Sequence, residues 1–135
     1  MRKASAGKVA LFGEAQKGNF QHLFEIRSLI HLAETLGHPP EGSIGLHLGI
    51  QTLLYQKELL FIRVKEEGFS MKDYVFGLKL LREQVDLKAI TAIAMPGVGD
   101  HHILTEAWQF CSASGAFLMT SEKDFYDYVT HIVIS

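Results

Sequence analysis

The apolar run Ile90-Thr91-Ala92-Ile93-Ala94-Met95 stops abruptly at Pro96-Gly97-Val98-Gly99-Asp100-His101-His102, and a helical pattern carrying Glu106, Trp108 and Phe110 resumes behind it. A short buried strand that ends in glycines and gives way to a helix is the unit from which α/β folds are built. It leaves backbone N–H groups free at the helix start, where ligands tend to sit. Val9-Ala10-Leu11-Phe12-Gly13 marks a second junction of the same kind. Two such junctions constrain the chain to alternate strands with helices, and they place a cleft at the strand ends if the loops converge. They do not name its ligand.

The rest of the pattern fits that alternation. Lys8 to Phe12 reads as a buried strand. Asn19 reads as the N-cap of a helix whose apolar face is Leu23, Ile26, Leu29, Ile30, Ala33 and Leu36, ended by Gly37 and Pro39-Pro40. Between residues 43 and 65, Ile44, Leu46, Leu48 and Ile50 alternate, and Leu59 to Val64 is apolar and partly β-branched. A hairpin turned at Tyr55-Gln56-Lys57-Glu58 is the expectation, with a helix over Ile50 to Lys57 leading into a strand as its competitor. Ser70 and Asp73 open a helix bearing Tyr74, Val75, Leu78, Leu81 and Val85. Ile90 to Met95 is then a strand, Leu104 to Ser112 a helix closed by Ser114-Gly115, and Ala116 to Thr120 a strand. Ser121 caps a short helix, and Ile132-Val133-Ile134 forms a small edge strand. The expected architecture is one α/β domain over residues 1–135, a three-layer αβα Rossmann-like sandwich with a mostly parallel sheet of five or six strands.

Composition narrows the function classes. A formal charge of −2 argues against a broad electrostatic grip on nucleic acid. The single cysteine, Cys111, rules out an internal disulfide framework and a multi-cysteine zinc site. Its helical setting reads as a small buried apolar side chain; a thiol enzyme would need an activating neighbour. Met1-Arg2-Lys3 is basic, but Ala4 to Lys8 interrupts any leader-like apolar segment, and no run approaches a membrane span of roughly 20 residues. The cytoplasm is the expected compartment.

Two loops carry the chemistry. Gly13-Glu14-Ala15-Gln16-Lys17-Gly18 has the glycine spacing of a P-loop, but Asn19-Phe20 stands where that motif needs Lys and Ser or Thr, so an ATPase or GTPase of that class is not expected. What remains is either a tight turn at Gly13 and Gly18 or an anion-binding loop with Lys17 beside it. In the second loop, Gly97 and Gly99 permit close backbone approach, and Asp100 is a competent N-cap. His101 and His102 are adjacent on a helix and point about 100° apart, so they do not address one metal ion together. Glu106 lies one turn after His102, which makes the two first a solvated surface pair and, as the alternative, an acid/base pair. Trp108 and Phe110 read as core. His31 reads as structural, Arg63 as an edge residue or an acid's partner, and Phe125, Tyr126 and Tyr128 as core or a dimer interface.

Ile93-Ala94-Met95-Pro96-Gly97-Val98-Gly99-Asp100, with Glu106-Ala107-Trp108 behind it, resembles the lysine-decarboxylase-like (LOG) family of Rossmann-type nucleoside-monophosphate phosphoribohydrolases. Ala116 to Thr120, Asp124-Phe125-Tyr126-Asp127 and Val9 to Gly13 look like further segments of the same family. Val98 stands at the family's second glycine and Asp100 at its threonine, and neither its catalytic glutamate nor its arginine has a counterpart at the expected spacing. The resemblance implies a nucleotide- or phosphosugar-binding scaffold. On this reading the protein binds a phosphorylated small molecule, with Gly13, Gly18, Gly97, Gly99, Asp100 and Lys17 shaping the site and His102 with Glu106 as acid and base if there is turnover. No cofactor is specified. The alternative is a non-catalytic interaction domain, a homodimer or a subunit of a larger assembly.

Overall fold

The computed structural model describes residues 7–134; the basic Met1-Arg2-Lys3 segment lies outside the described residues. Along the chain run β1 (Lys8–Gly13), β2 (Leu23–Ile26), α1 (Leu29–Leu36), α2 (Gly45–Leu54), β3 (Glu58–Arg63), α3 (Met71–Gln84), β4 (Ile90–Ala94), α4 (His101–Ser114), β5 (Phe117–Met119) and α5 (Glu122–Ile134). The strands form one sheet in the order β2-β3-β1-β4-β5. β1 pairs in parallel with β3 and β4, and β4 with β5, while β2 runs antiparallel to β3. The sheet is therefore mostly parallel, with one reversed edge strand.

β1 is the central strand, and its side chains show why it must be. Val9, Ala10, Leu11 and Phe12 are all completely buried. Successive residues point to opposite faces of a strand. Ala10 and Phe12 join a cluster with Leu60, Ile62, Tyr74, Leu78, Ile103 and Phe110, which brings in α3 and α4. Val9 and Leu11 join the other, with Leu32, Leu36, Leu46, Phe61, Phe125 and Val129 from α1, α2 and α5. Both sheet faces are covered by helices, as a continuous apolar strand requires.

Three elements depart from the sequence expectations. Leu23 to Ile26 is a strand, and the helix begins only at Leu29. Ser28, not Asn19, is its N-cap, with Oγ accepting from His31 N–H. Leu23 turns to one face of the sheet and Phe24 and Ile26 to the other, so their spacing mimics a helical stripe. Leu29 and Ile30, expected on the buried face, are exposed. The hairpin is absent: residues 45–54 are α2, which leads into β3. Gly45, Leu46, Leu48, Gly49 and Thr52 form one buried face; with two glycines and a threonine on it, and Leu54 exposed on the opposite side, the apolar 3.6-residue period that would have marked the helix is missing. Finally, α5 continues through residues 132–134, where a strand was expected.

Glycine permits the closest approach. A Cβ on Gly45 would lie 2.6 Å from the Cα of Gly13, so the start of α2 rests directly on the end of β1. No helix among the described residues is long and apolar enough to cross a membrane.

Candidate functional site

The parallel strands all point one way, so the loops after β1, β3, β4 and β5 share one edge of the sheet. From β1 the chain leaves toward β3, and from β4 toward β5, so the strand order reverses between the ends of β1 and β4. Such a reversal opens a crevice in α/β sheets. Here the chain itself enters it. The loop after β3, Lys65-Glu66-Glu67-Gly68, links the other two.

Glu67 is the centre of that link. Its Oε2 accepts from Glu14 N–H at 2.9 Å and Gly45 N–H at 2.8 Å, and its Oε1 accepts from Ile44 N–H at 2.8 Å. Glu14 answers reciprocally, its Oε2 accepting from Glu67 N–H at 2.9 Å. Ile44, the residue before α2, makes no side-chain cap of its own. A carboxylate 22 residues away in sequence therefore caps that helix and sits where its dipole favours negative charge. The amides of Glu14, Ile44 and Gly45 are occupied by Glu67.

Its neighbour closes the other side. Gly68 has φ of +89°, and a Cβ there would come within 2.5 Å of Gly97 O. Gly68 N–H donates to Tyr74 Oη at 2.7 Å, and burial pushes that phenol well above its ordinary pKa. Gly97, itself at φ +84°, donates through its N–H to Thr120 O at 3.1 Å. The two glycine-marked loops thus meet, but through Glu67-Gly68.

The sequence-selected residues divide between the two sides. Gln16 and Lys17 both donate their N–H groups to Leu36 O at 3.1 Å, so this part of the first loop docks on the end of α1. The Lys17 side chain is exposed, and Gly18 packs on Leu36 and Phe24. On the other side, Asp100 caps α4 by accepting from Ile103 N–H at 3.0 Å. Gly99 is exposed with open space around it. His101 and His102 are exposed on the first turn of α4, Glu106 is half-buried, and no ion pair within 4.0 Å joins His102 to Glu106 among the described residues. Trp108, expected in the core, is 65% exposed, whereas Phe110 and Phe125 are buried. Cys111 is buried, and burial pushes its thiol up to about 11, which removes the thiolate a nucleophile needs. Among the described residues, no group of three or more His, Cys, Asp or Glu is placed to hold a metal ion.

A cleft of about 490 Å³ opens beside the first loop, lined by none of Gly13, Lys17, Gly18, Gly97, Gly99, Asp100, His102 or Glu106. Phe20, Gln21 and Lys65 line one part, and Ser70, Met71, Lys72 and Asp73 at the start of α3 line the other. Gln21 holds φ of +57°, an uncommon conformation for a side chain of its kind. Arg63 lies behind Phe20, its guanidinium carbon 4.2 Å from the ring centre. Arg63 Nη1 donates to Gly18 O at 2.6 Å, Nε is buried without a partner, and no carboxylate pairs with the group among the described residues. Asp73 Oδ2 accepts from Lys65 N–H at 2.8 Å, so this first-turn carboxylate ties the loop after β3 to α3. Ser70 does not cap the helix with its side chain; its Oγ is held by Glu66. One signal for this region was available in the sequence: Glu67-Gly68 is a third glycine-marked strand-to-helix turn, between β3 and α3.

No protein-family model, curated protein or solved structure matches the chain significantly.

Proposed function

We propose that the protein is a binding domain for a small phosphorylated molecule with a planar or sugar moiety, a nucleotide or phosphosugar, on a three-layer Rossmann-like scaffold. The observation that carries the reading is the cleft at the C-terminal edge of the sheet. Its volume falls in the range of small-molecule sites. Lys65 and Lys72 supply charge for a phosphate beside the first turn of α3, and Phe20 supplies an aromatic surface. Asp73 adds an acceptor suited to a sugar hydroxyl. Arg63 behind Phe20, with no carboxylate partner among the described residues, raises the local positive potential. The motif resemblance around Gly97 points to the same ligand class. The reading is one of binding; His102 and Glu106 enter only if turnover is found.

A thermal-shift screen against nucleoside monophosphates and sugar phosphates tests it. A ligand at a hundred times its dissociation constant adds about 2.7 kcal/mol of stability. The expected hit disappears in Lys65→Ala/Lys72→Ala and weakens in Phe20→Ala. A hit that survives both but is lost in Gly99→Val would move the site to the loop after β4. Absence of any hit would remove the reading.

A second reading, an interaction domain, is favoured by one observation. Phe69, 73% exposed, and Met71 stand at the start of α3 with no covering element among the described residues.

A further inference from the structure

The outer face of α3 sets exposed apolar side chains beside an excess of cations. A groove of about 370 Å³ runs along it, lined by Met71, Lys72, Val75, Phe76, Lys79 and Arg82. Three of these are apolar and three are cations. The span from residue 71 to residue 82 is about 16 Å of helix axis, three turns. Lys79 Nζ lies 6.0 Å from the centre of the Phe76 ring and 4.0 Å from Glu83 Oε2, so one acid borders the groove without lining it.

We infer that this groove docks an acidic, amphipathic segment of a partner protein, with bulky apolar side chains seated among Met71, Val75 and Phe76 and carboxylates facing Lys72, Lys79 and Arg82. The inference rests on the interaction-domain reading and gives it a partner class; it does not require the cleft to hold a ligand. Charge complementarity selects the occupant. The chain's own residues 1–6 carry Arg2 and Lys3, of the same sign as the groove. Side chains projecting from a partner segment fill the gaps among Met71, Val75 and Phe76, the mode of helix-in-groove recognition. Opposite charge at the rim steers the encounter and fixes register, while the apolar floor holds the complex.

The test is selection of a displayed library of random peptides, each about 12 residues long, on the immobilised full chain. The expected winners carry several Asp or Glu with Leu, Phe or Trp at three- and four-residue spacing. Their affinity falls at least about tenfold in Lys79→Glu/Arg82→Glu and in Phe76→Ala, and is unchanged in Phe20→Ala. Reversing the peptide's acids to lysine restores binding to the Lys79→Glu/Arg82→Glu protein, a rescue that mere structural damage would not give. Winners that are not acidic, yet compete for this face, overturn the partner class and leave the interaction-domain reading standing. Winners that ignore these substitutions overturn the site. Two further outcomes overturn the proposal by naming another occupant. One is self-association in sedimentation that the same charge reversal abolishes, which assigns a second copy. The other is binding of phosphatidylserine vesicles with no peptide enriched, which assigns a membrane.

Discussion

The loops after β3 and β4 both follow buried strands, both contain a glycine at positive φ, and both precede a fourteen-residue helix. Their ties to the rest of the fold nevertheless differ in extent. The loop after β3 is locked into the fold: Glu67 binds three amides from two other segments, Glu14 binds back, and Gly68 lies against Gly97. The loop after β4 is held by fewer distant bonds: Gly97 N–H donates to Thr120 O, Asp100 caps its own helix, and Gly99 stands in open space. A glycine-rich turn therefore says that the backbone bends there, but not whether the amides it exposes remain free. At the loop after β3 they serve the fold, and the cleft lies beside it.

Substitutions measure that contrast. Glu67→Ala leaves the amides of Glu14, Ile44 and Gly45 without their acceptor. With each unsatisfied group costing about 1–3 kcal/mol and water recovering part, a loss of about 3 kcal/mol is expected in urea denaturation. Glu67→Gln, which keeps an acceptor oxygen, should lose less. Gly68→Ala combines a strained φ with a contact on Gly97 O and should cost about 2 kcal/mol. In the loop after β4 the effects shrink. Asp100→Ala should cost about 1 kcal/mol, the usual value of an N-cap. Gly99→Ala should stay within about 0.5 kcal/mol. A Gly99→Ala loss as large as that of Gly68→Ala would erase the distinction between the two loops.

Cys111 adds a pH dependence. Its folded pKa of about 11 lies above the ordinary value of 9.0. Above pH 9 the unfolded chain gives up the thiol proton while the folded chain keeps it, so the unfolded state binds fewer protons and stability falls between about pH 9 and 11. Cys111→Ser should flatten that part of the stability profile, read by thermal denaturation across the range.

The same contrast explains what could be read from the sequence. β1, β4 and α3 were legible because their apolar runs are bounded by glycine or a polar start, and Asp100 and Gly115 marked the two ends of α4 correctly. α2 entered only as the competitor to the hairpin, placed over Ile50 to Lys57, because its buried face rests on Gly45, Gly49 and Thr52 while Ile44, Leu46, Leu48 and Ile50 alternate like a strand. β2 was hidden because Leu23 and Ile26 happen to fall in step with Leu29. Arg63, beside the cleft, was read as an edge residue or an acid's partner, whereas it bonds main-chain carbonyls and stacks on Phe20. Glu14 and Glu67 lie 53 residues apart, and nothing local in either segment reports that they meet.

The distance in sequence between α2 and its cap bears on how the chain assembles. A ten-residue helix is too short to persist alone in water, and this one has no acceptor of its own at its N-terminus. The carboxylate that supplies it arrives only when the segment following β3 has reached the end of β1. α2 should therefore consolidate late, after β1 and β3 have paired, and its mutations should speed unfolding more than they slow folding. A side chain that looks like a brace in the finished protein acts, during folding, as a latch closed near the end.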